Sequence, residues 1–123
     1  MSYGKSMVID LEGCDTGKFN REDLEHFFML LTMCLGMERG DLCWWDDVGV
    51  PEDEKQTDPR TTGTSAVQFI LTSSIVVHTL DLTGQVFIDI FTCGELDDVD
   101  VRIVVAEFFR PSIFRNCATF IRG

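Results

Sequence analysis

Apolar residues fall along this chain in two kinds of run: short stretches rich in β-branched and aromatic residues, and longer stretches at helical spacing. Met7 to Leu11 reads as a first strand, closed by Glu12-Gly13-Cys14-Asp15 and the turn residues Thr16-Gly17. Leu24, Phe27, Phe28, Leu31 and Leu35 then recur at a spacing of about 3.6 until Gly36. With Asn20 as N-cap and Glu22 and Asp23 in the first turn, that stripe predicts a helix packed on a sheet. Cys43-Trp44-Trp45 suggests a short strand, and the segment Asp46 to Arg60, rich in acids, prolines and glycine without periodicity, predicts a mobile surface loop.

The runs Ser65 to Leu71, Ile75 to Leu80 and Gln85 to Phe91 are separated by turn signals at Thr72-Ser74 and Asp81-Gly84. They predict an antiparallel meander. Asp97 and Asp98 can cap a second helix in which Val101, Val104, Val105 and Phe108 share a face and Arg110-Pro111 ends the helix; a last strand is expected from Ile113 to Ile121. The order predicts an α+β fold, a two-layer sandwich with helices on one face of a mainly antiparallel sheet. No internal repeat is present.

At 123 residues the chain has the length of a single domain, 1–123, able to bury a core without disulfides or metals. A hydrophobic share of 45% with ten phenylalanines excludes a disordered chain. No apolar run has the length of a membrane span and no signal peptide opens the chain, so a cytoplasmic location without membrane attachment is expected. A net charge of −11 repels phosphate backbones and anionic lipids, which argues against nucleic acid as a partner and suits a small cationic, amine-containing ligand. Five cysteines, at 14, 34, 43, 93 and 117, form no CxxC pair. They read as reduced thiols, with no metal expected, four of them as buried structural residues. Cys93, flanked by Thr92 and Gly94 at a strand end, is the one expected to be exposed.

The chemically suggestive set is Ser65, Ser73, His78 and Cys93. Thr72-Ser73-Ser74-Ile75-Val76-Val77-His78-Thr79 is followed by the unbroken run Asp89-Ile90-Phe91-Thr92-Cys93-Gly94, and preceded by Gly63-Thr64-Ser65. This arrangement resembles the bacterial S-adenosylmethionine decarboxylase family, whose members carry Glu-Ser-His-x-x-x-His-Thr-Trp-Pro-Glu and then Asp-(Ile or Leu)-Phe-Thr-Cys-Gly. The opening Gly4-Lys5 to Asp15 is similar to the family's Gly-(Lys or Arg)-His, short strand and Gly-Cys-Asp turn.

The resemblance implies a proenzyme that cuts itself between Thr72 and Ser73 into 1–72 and 73–123. The Ser73 hydroxyl attacks the Thr72 carbonyl to give an ester, and loss of the Ser73 Cα proton expels Thr72 as a carboxylate. The dehydroalanine left behind hydrolyses to a pyruvoyl group. This covalent cofactor forms a Schiff base with a substrate amine and takes the place of pyridoxal phosphate. On the same resemblance His78 is the processing base, Ser65 assists processing, and Cys93 returns a proton to the substrate carbon. Because Ser73 and His78 are an odd number of positions apart, the chain is expected to turn or bulge between them, with a distortion at Thr72-Ser73-Ser74. Glu12 and Asp15 resemble an acidic pair of eukaryotic relatives and are candidates to receive a cationic group. Trp44-Trp45 suits packing better than adenine stacking, and His26 reads as structural or surface.

Two departures bear on the substrate. Thr72-Ser73-Ser74 stands where relatives have Glu-Ser-His, and Leu80-Asp81-Leu82 where they have Trp-Pro-Glu, whose glutamate binds the ribose of S-adenosylmethionine. Leucine accepts no hydrogen bond, a loss of about 1.5–3 kcal/mol of binding unless Asp81 substitutes. The expected activity is decarboxylation of S-adenosylmethionine for spermidine synthesis. The alternatives are the same cofactor acting on arginine or ornithine, and a non-catalytic paralogue or acidic binding module. The family's habit implies a homo-oligomer, at least a dimer of cleaved chains.

Overall fold

The computed structural model describes residues 1–123. Strands β1 (Gly4–Glu12), β2 (Arg39–Trp45), β3 (Gly63–Ile70), β4 (Ser73–Leu80), β5 (Gln85–Thr92) and β6 (Ile113–Arg122) form one sheet in the order β2-β3-β4-β5-β1-β6. Every neighbouring pair is antiparallel. Helices α1 (Arg21–Leu35) and α2 (Asp98–Phe109) lie against one face, giving the α+β two-layer sandwich that the residue pattern predicts.

Capping residues set both helices. The Asn20 side chain accepts from Asp23 N–H and Gly36 closes α1 in the left-handed region; Asp97 accepts from Val99 and Asp100 N–H, and Arg110 ends α2 at φ 48°. Met7, Ile9, Leu11, Ile75, Val77, Val86, Ile88 and Ile90 alternate inward from the strands and meet Leu24, Phe27, Phe28, Leu31, Val101, Val105 and Phe109 from the helices, all but fully buried. Phe27 joins the two helices, with ring centroids 5.1 Å from Phe108 and 4.8 Å from Phe109.

The opposite face has no helix. It carries Val8, Val67, Val76, Phe87 and Phe91, half-buried, with Phe69 and Phe120 exposed. Where the β2–β3 register slips between Arg39 and Leu42, the buried Gln68 amide donates to the Gly40, Asp41 and Phe69 carbonyls and accepts from Arg39 Nε.

Two expectations need correction, and a third gains detail: Asp46 to Arg60 is a largely exposed surface loop, as expected, in which Val48 N–H and Gln56 N–H donate to Asp46 and Asp47, Arg60 N–H donates to Asp58, and Glu52–Glu54 forms a 3-10 turn. Short-range bonding by aspartates gives this segment a shape that apolar periodicity cannot report. Strand β4 runs unbroken through Ser73 to Leu80 in regular register with both neighbours, so no bulge lies between Ser73 and His78. The distortion expected within Thr72-Ser73-Ser74 is there, at Thr72, whose φ is 52°. The cysteines expected to be buried are not. Cys34, Cys43 and Cys117 are exposed and Cys14 is intermediate, because β2 and β6 are edge strands and Cys34 lies in the last turn of α1 away from its buried stripe.

Candidate active site

The turn from β3 into β4 brings Ser73 to the end of β5. Ser73 is buried on the helix side; its Oγ accepts from Cys93 N–H at 3.2 Å, sits 3.4 Å from Thr92 Oγ1, and lies 3.8 Å from Cys93 Sγ. Thr72 Oγ1 is 3.3 Å from the same sulfur. Register explains the meeting: Ser74 pairs with Phe91, so the start of β4 lies beside the end of β5, where Cys93 follows. Gly4 admits this arrangement because a Cβ there would collide with the Thr92 carbonyl oxygen and the Cys93 Cα.

Hydrogen bonds from the Thr72 hydroxyl first, then from Ser73, hold the exposed Cys93 thiol below its ordinary value. Thr92 and Met37 complete this end. Thr92 Oγ1 accepts from Gly94 N–H at 2.9 Å and lies 3.7 Å from Met37 Sδ. Neither was singled out from the sequence. Thr92 lies within the Phe-Thr-Cys-Gly run and was legible there, whereas Met37 follows α1 with no local signal.

Ser65 and His78 meet on the open face, Ser65 Oγ 2.7 Å from His78 Nδ1, because Ser65 and His78 are register partners across β3 and β4. They stand apart from Ser73. Five residues of extended strand cover about 17 Å, and His78 leaves β4 on the opposite face from Ser73. Glu12, Asp15 and Asp81 belong to the His78 end of the sheet. Glu12 is held by Arg115 through two bonds of 2.8 and 3.0 Å, which keep its carboxyl below the usual range; Asp15 accepts from Gly17 N–H. Asp81 is pushed up by burial and then by the Asp47 charge.

Trp44 packs against the core beneath Arg21, Trp45 is 83% exposed, and His26 is exposed on α1. No group of three or more His, Cys, Asp or Glu side chains is placed to hold a metal ion, and no helix is long and apolar enough to cross a membrane.

Residues 5–119 match the family model described as S-adenosylmethionine decarboxylase. The chain belongs to the S-adenosylmethionine decarboxylase family. It is 29% identical over 108 residues to an S-adenosylmethionine decarboxylase proenzyme of Shouchella clausii, covering 87% of this chain and 72% of that protein. It is also 29% identical over 107 residues to the proenzyme of Geobacillus kaustophilus, covering 86% and 77%. Its fold is shared with a crystal structure of the adenosylmethionine decarboxylase from Aquifex aeolicus, at a TM-score of 0.77 and 18% identity over 99% of this chain and 92% of that one. In this member of the S-adenosylmethionine decarboxylase family, then, Thr72, Ser73 and Cys93 converge at one end of the sheet, and the Ser65–His78 pair lies at the other.

Proposed function

We propose that this chain is a proenzyme that cleaves its own Thr72–Ser73 bond, converts Ser73 to a pyruvoyl group and decarboxylates S-adenosylmethionine for polyamine synthesis. The observation that carries the reading is the convergence of the Ser73 hydroxyl, the left-handed Thr72 backbone and the Cys93 thiol in one turn. A β-branched residue at φ 52° is a costly conformation, on the order of 1–3 kcal/mol, and such strain beside a scissile bond is relieved when the bond breaks.

The residues present fit a pyruvoyl group. Its precursor hydroxyl is buried, the Cys93 amide N–H points at it, and Thr92 and Gly94 line its surroundings, so a donor is ready for an oxygen at that position. When formed, the ketone supplies an electron sink for loss of carbon dioxide. Cys93 holds a proton beside it, on an exposed sulfur open to a substrate carbon. No pyridoxal phosphate or metal is required for this chemistry.

The processing base cannot come from the same strand. His78 with Ser65 lies about 17 Å along β4 from Ser73 and on the other face. A second copy can supply it. The open face carries apolar Val8, Val67, Phe69, Val76, Phe87 and Phe120 together with His78, and a two-fold axis across the strands lays the His78 end of one sheet over the Ser73 end of its partner. A dimer of cleaved chains is therefore the working unit.

The substrate is a small cationic amine, in keeping with the net charge of −11. Leu82, 61% exposed in the β4–β5 turn, presents no acceptor for ribose hydroxyls. That observation supports a second reading, the same cofactor acting on arginine or ornithine.

Intact mass of the purified chain beside a Ser73→Ala variant tests the proposal. Expected are fragments Met1–Thr72 and Ser73–Gly123, the latter lighter than its sequence by ammonia, with Ser73→Ala uncut. A full-length unmodified chain would overturn it. Carbon dioxide release from carboxyl-labelled S-adenosylmethionine, arginine and ornithine then separates the two substrates.

A further inference from the structure

The helix layer holds a second concave site, a cleft of about 320 Å³ that shares no residue with the Ser73–Cys93 turn or the Ser65–His78 pair. Leu30 of α1 and Val104 and Phe108 of α2 make its apolar lining. Lys18 from the 3-10 turn Thr16–Lys18, His26 from α1, and Glu107 and Arg110 from the end of α2 supply the polar groups. The Lys18 ammonium sits 5.5 Å from the centre of the buried Phe108 ring, so a cation and an aromatic face meet at one point. That volume lies at the low end of clefts that take small molecules, about 300–1,000 Å³.

Charge sets the cleft apart from the rest of the surface. The chain has 21 acidic side chains against 10 lysines and arginines, and Arg21, Arg39, Lys55 and Arg115 are each held by a carboxylate. Lys18 and Arg110 make no ion pair, and neither does His26. Glu107 is the one carboxylate among the lining residues. Two fixed cations against one carboxylate leave a positive charge in excess, in a chain whose net charge is −11. Arg110 adds a second, independent sign. It closes α2 at φ 48° and ψ 53°, where glycine is the usual residue because it has no Cβ to strain the left-handed backbone. An arginine held there against its backbone preference, with its guanidinium meeting no carboxylate, marks a functional position.

We propose that this cleft binds a small organic carboxylate with an apolar body, at a site separate from that of the cationic substrate. Arg110 and Lys18 hold the carboxylate, the planar guanidinium offering two parallel N–H groups to its two oxygens. His26 adds a ring N–H, and Phe108, Leu30 and Val104 cover the apolar part. The excess positive charge disfavours amines and other cations, so the two ligands do not compete. All these residues lie on the two helices and their ends, outside Leu71 to Ser74. The inference therefore stands whether or not the Thr72–Ser73 bond is cut.

Phenylacetate titrated into the purified, isotopically labelled protein tests it, read by backbone amide shifts. Expected are saturable shifts at Lys18, His26 and Arg110 with one phenylacetate per chain. Phenylacetamide, which has the same shape without the charge, should not saturate, and acetate, which lacks the ring, should bind about tenfold more weakly. Lys18→Gln and Arg110→Gly are each expected to weaken phenylacetate binding about tenfold. Because glycine suits the positive φ, Arg110→Gly should melt no lower than the unmodified protein, so its loss of binding reports the guanidinium and not damage to the fold. Absence of saturable shifts in the cleft, equal binding of phenylacetamide or acetate, or undiminished binding in both folded variants overturns the proposal.

Discussion

Ser73 and His78 share strand β4, but leave it on opposite faces and about 17 Å apart along the chain. The hydrogen bond that His78 does make, at 2.7 Å to Ser65, lies on the face that no helix covers. On the proposed reading, in which His78 takes the Ser73 Cα proton, the imidazole must then arrive from another molecule. His78→Ala alone is expected to slow processing by about 10²–10⁴-fold. Co-expression with Ser73→Ala, which cannot be cut but keeps His78, should return cleavage to the His78→Ala chain, read by intact mass. Cleavage of His78→Ala at the full rate removes His78 as the base, and impairment without rescue returns the step to a single chain.

Gly63 pairs with Leu80 across β3 and β4 and leaves no room for a side chain. A Cβ there would collide with the Thr79 carbonyl oxygen, one residue beyond His78. Gly63→Ala must push the strands apart next to the Ser65–His78 pair. The expected cost is about 1–3 kcal/mol of stability, seen as a lower midpoint in urea, together with slowed processing. A variant with unchanged stability and rate would show that the sheet yields at this edge without disturbing the pair.

Helix and strand positions were legible because the apolar spacing and the caps agreed. Asn20 and Gly36 bracket α1, and Asp97 opens α2. The convergence of Ser73 with Cys93 was legible from the Phe-Thr-Cys-Gly run and the short turn at Asp81-Gly84, which brings the end of β5 beside the start of β4. What escaped was long-range. The side on which His78 emerges follows from unbroken register, while the expected bulge assumed a site within one chain. Met37 reaches Thr92 from 55 residues away, and Glu12 is tied to Arg115 across 103 residues; no local pattern carries such information. The Asp46 to Arg60 segment is ordered by single aspartate contacts, each too local to produce periodicity.

Cys14 gives the fold an alkaline limit. Burial pushes its thiol up to about 11 from an ordinary 9.0, while its N–H donates to the Gly84 carbonyl. The folded state resists ionisation that the unfolded chain accepts, so the stability is complete below the unfolded value near 9 and falls as pH rises towards 11. Melting temperature measured across that interval should drop more steeply for the unmodified protein than for Cys14→Ala. Parallel curves would show that the thiol ionises without opening the turn.

Leu82 bears most directly on what the enzyme accepts. It stands exposed in the turn between β4 and β5, at the position where the resemblance implies a ribose-binding glutamate. Its neighbour Asp81 has its pKa raised by burial first and then by the Asp47 charge. If S-adenosylmethionine is the substrate, Leu82→Glu supplies the missing acceptor and should lower KM about ten- to a hundredfold with little change in kcat. The fold should tolerate it, since Leu82 is 61% exposed. If arginine or ornithine is the substrate, the same change leaves KM for the amino acid within a few-fold and creates activity on S-adenosylmethionine that the unmodified chain lacks. Steady-state assays on both substrates, with the pyruvoyl content of each preparation confirmed by mass, decide between these outcomes. A Leu82→Glu enzyme with unaltered KM for every substrate would show that the turn does not line the binding site.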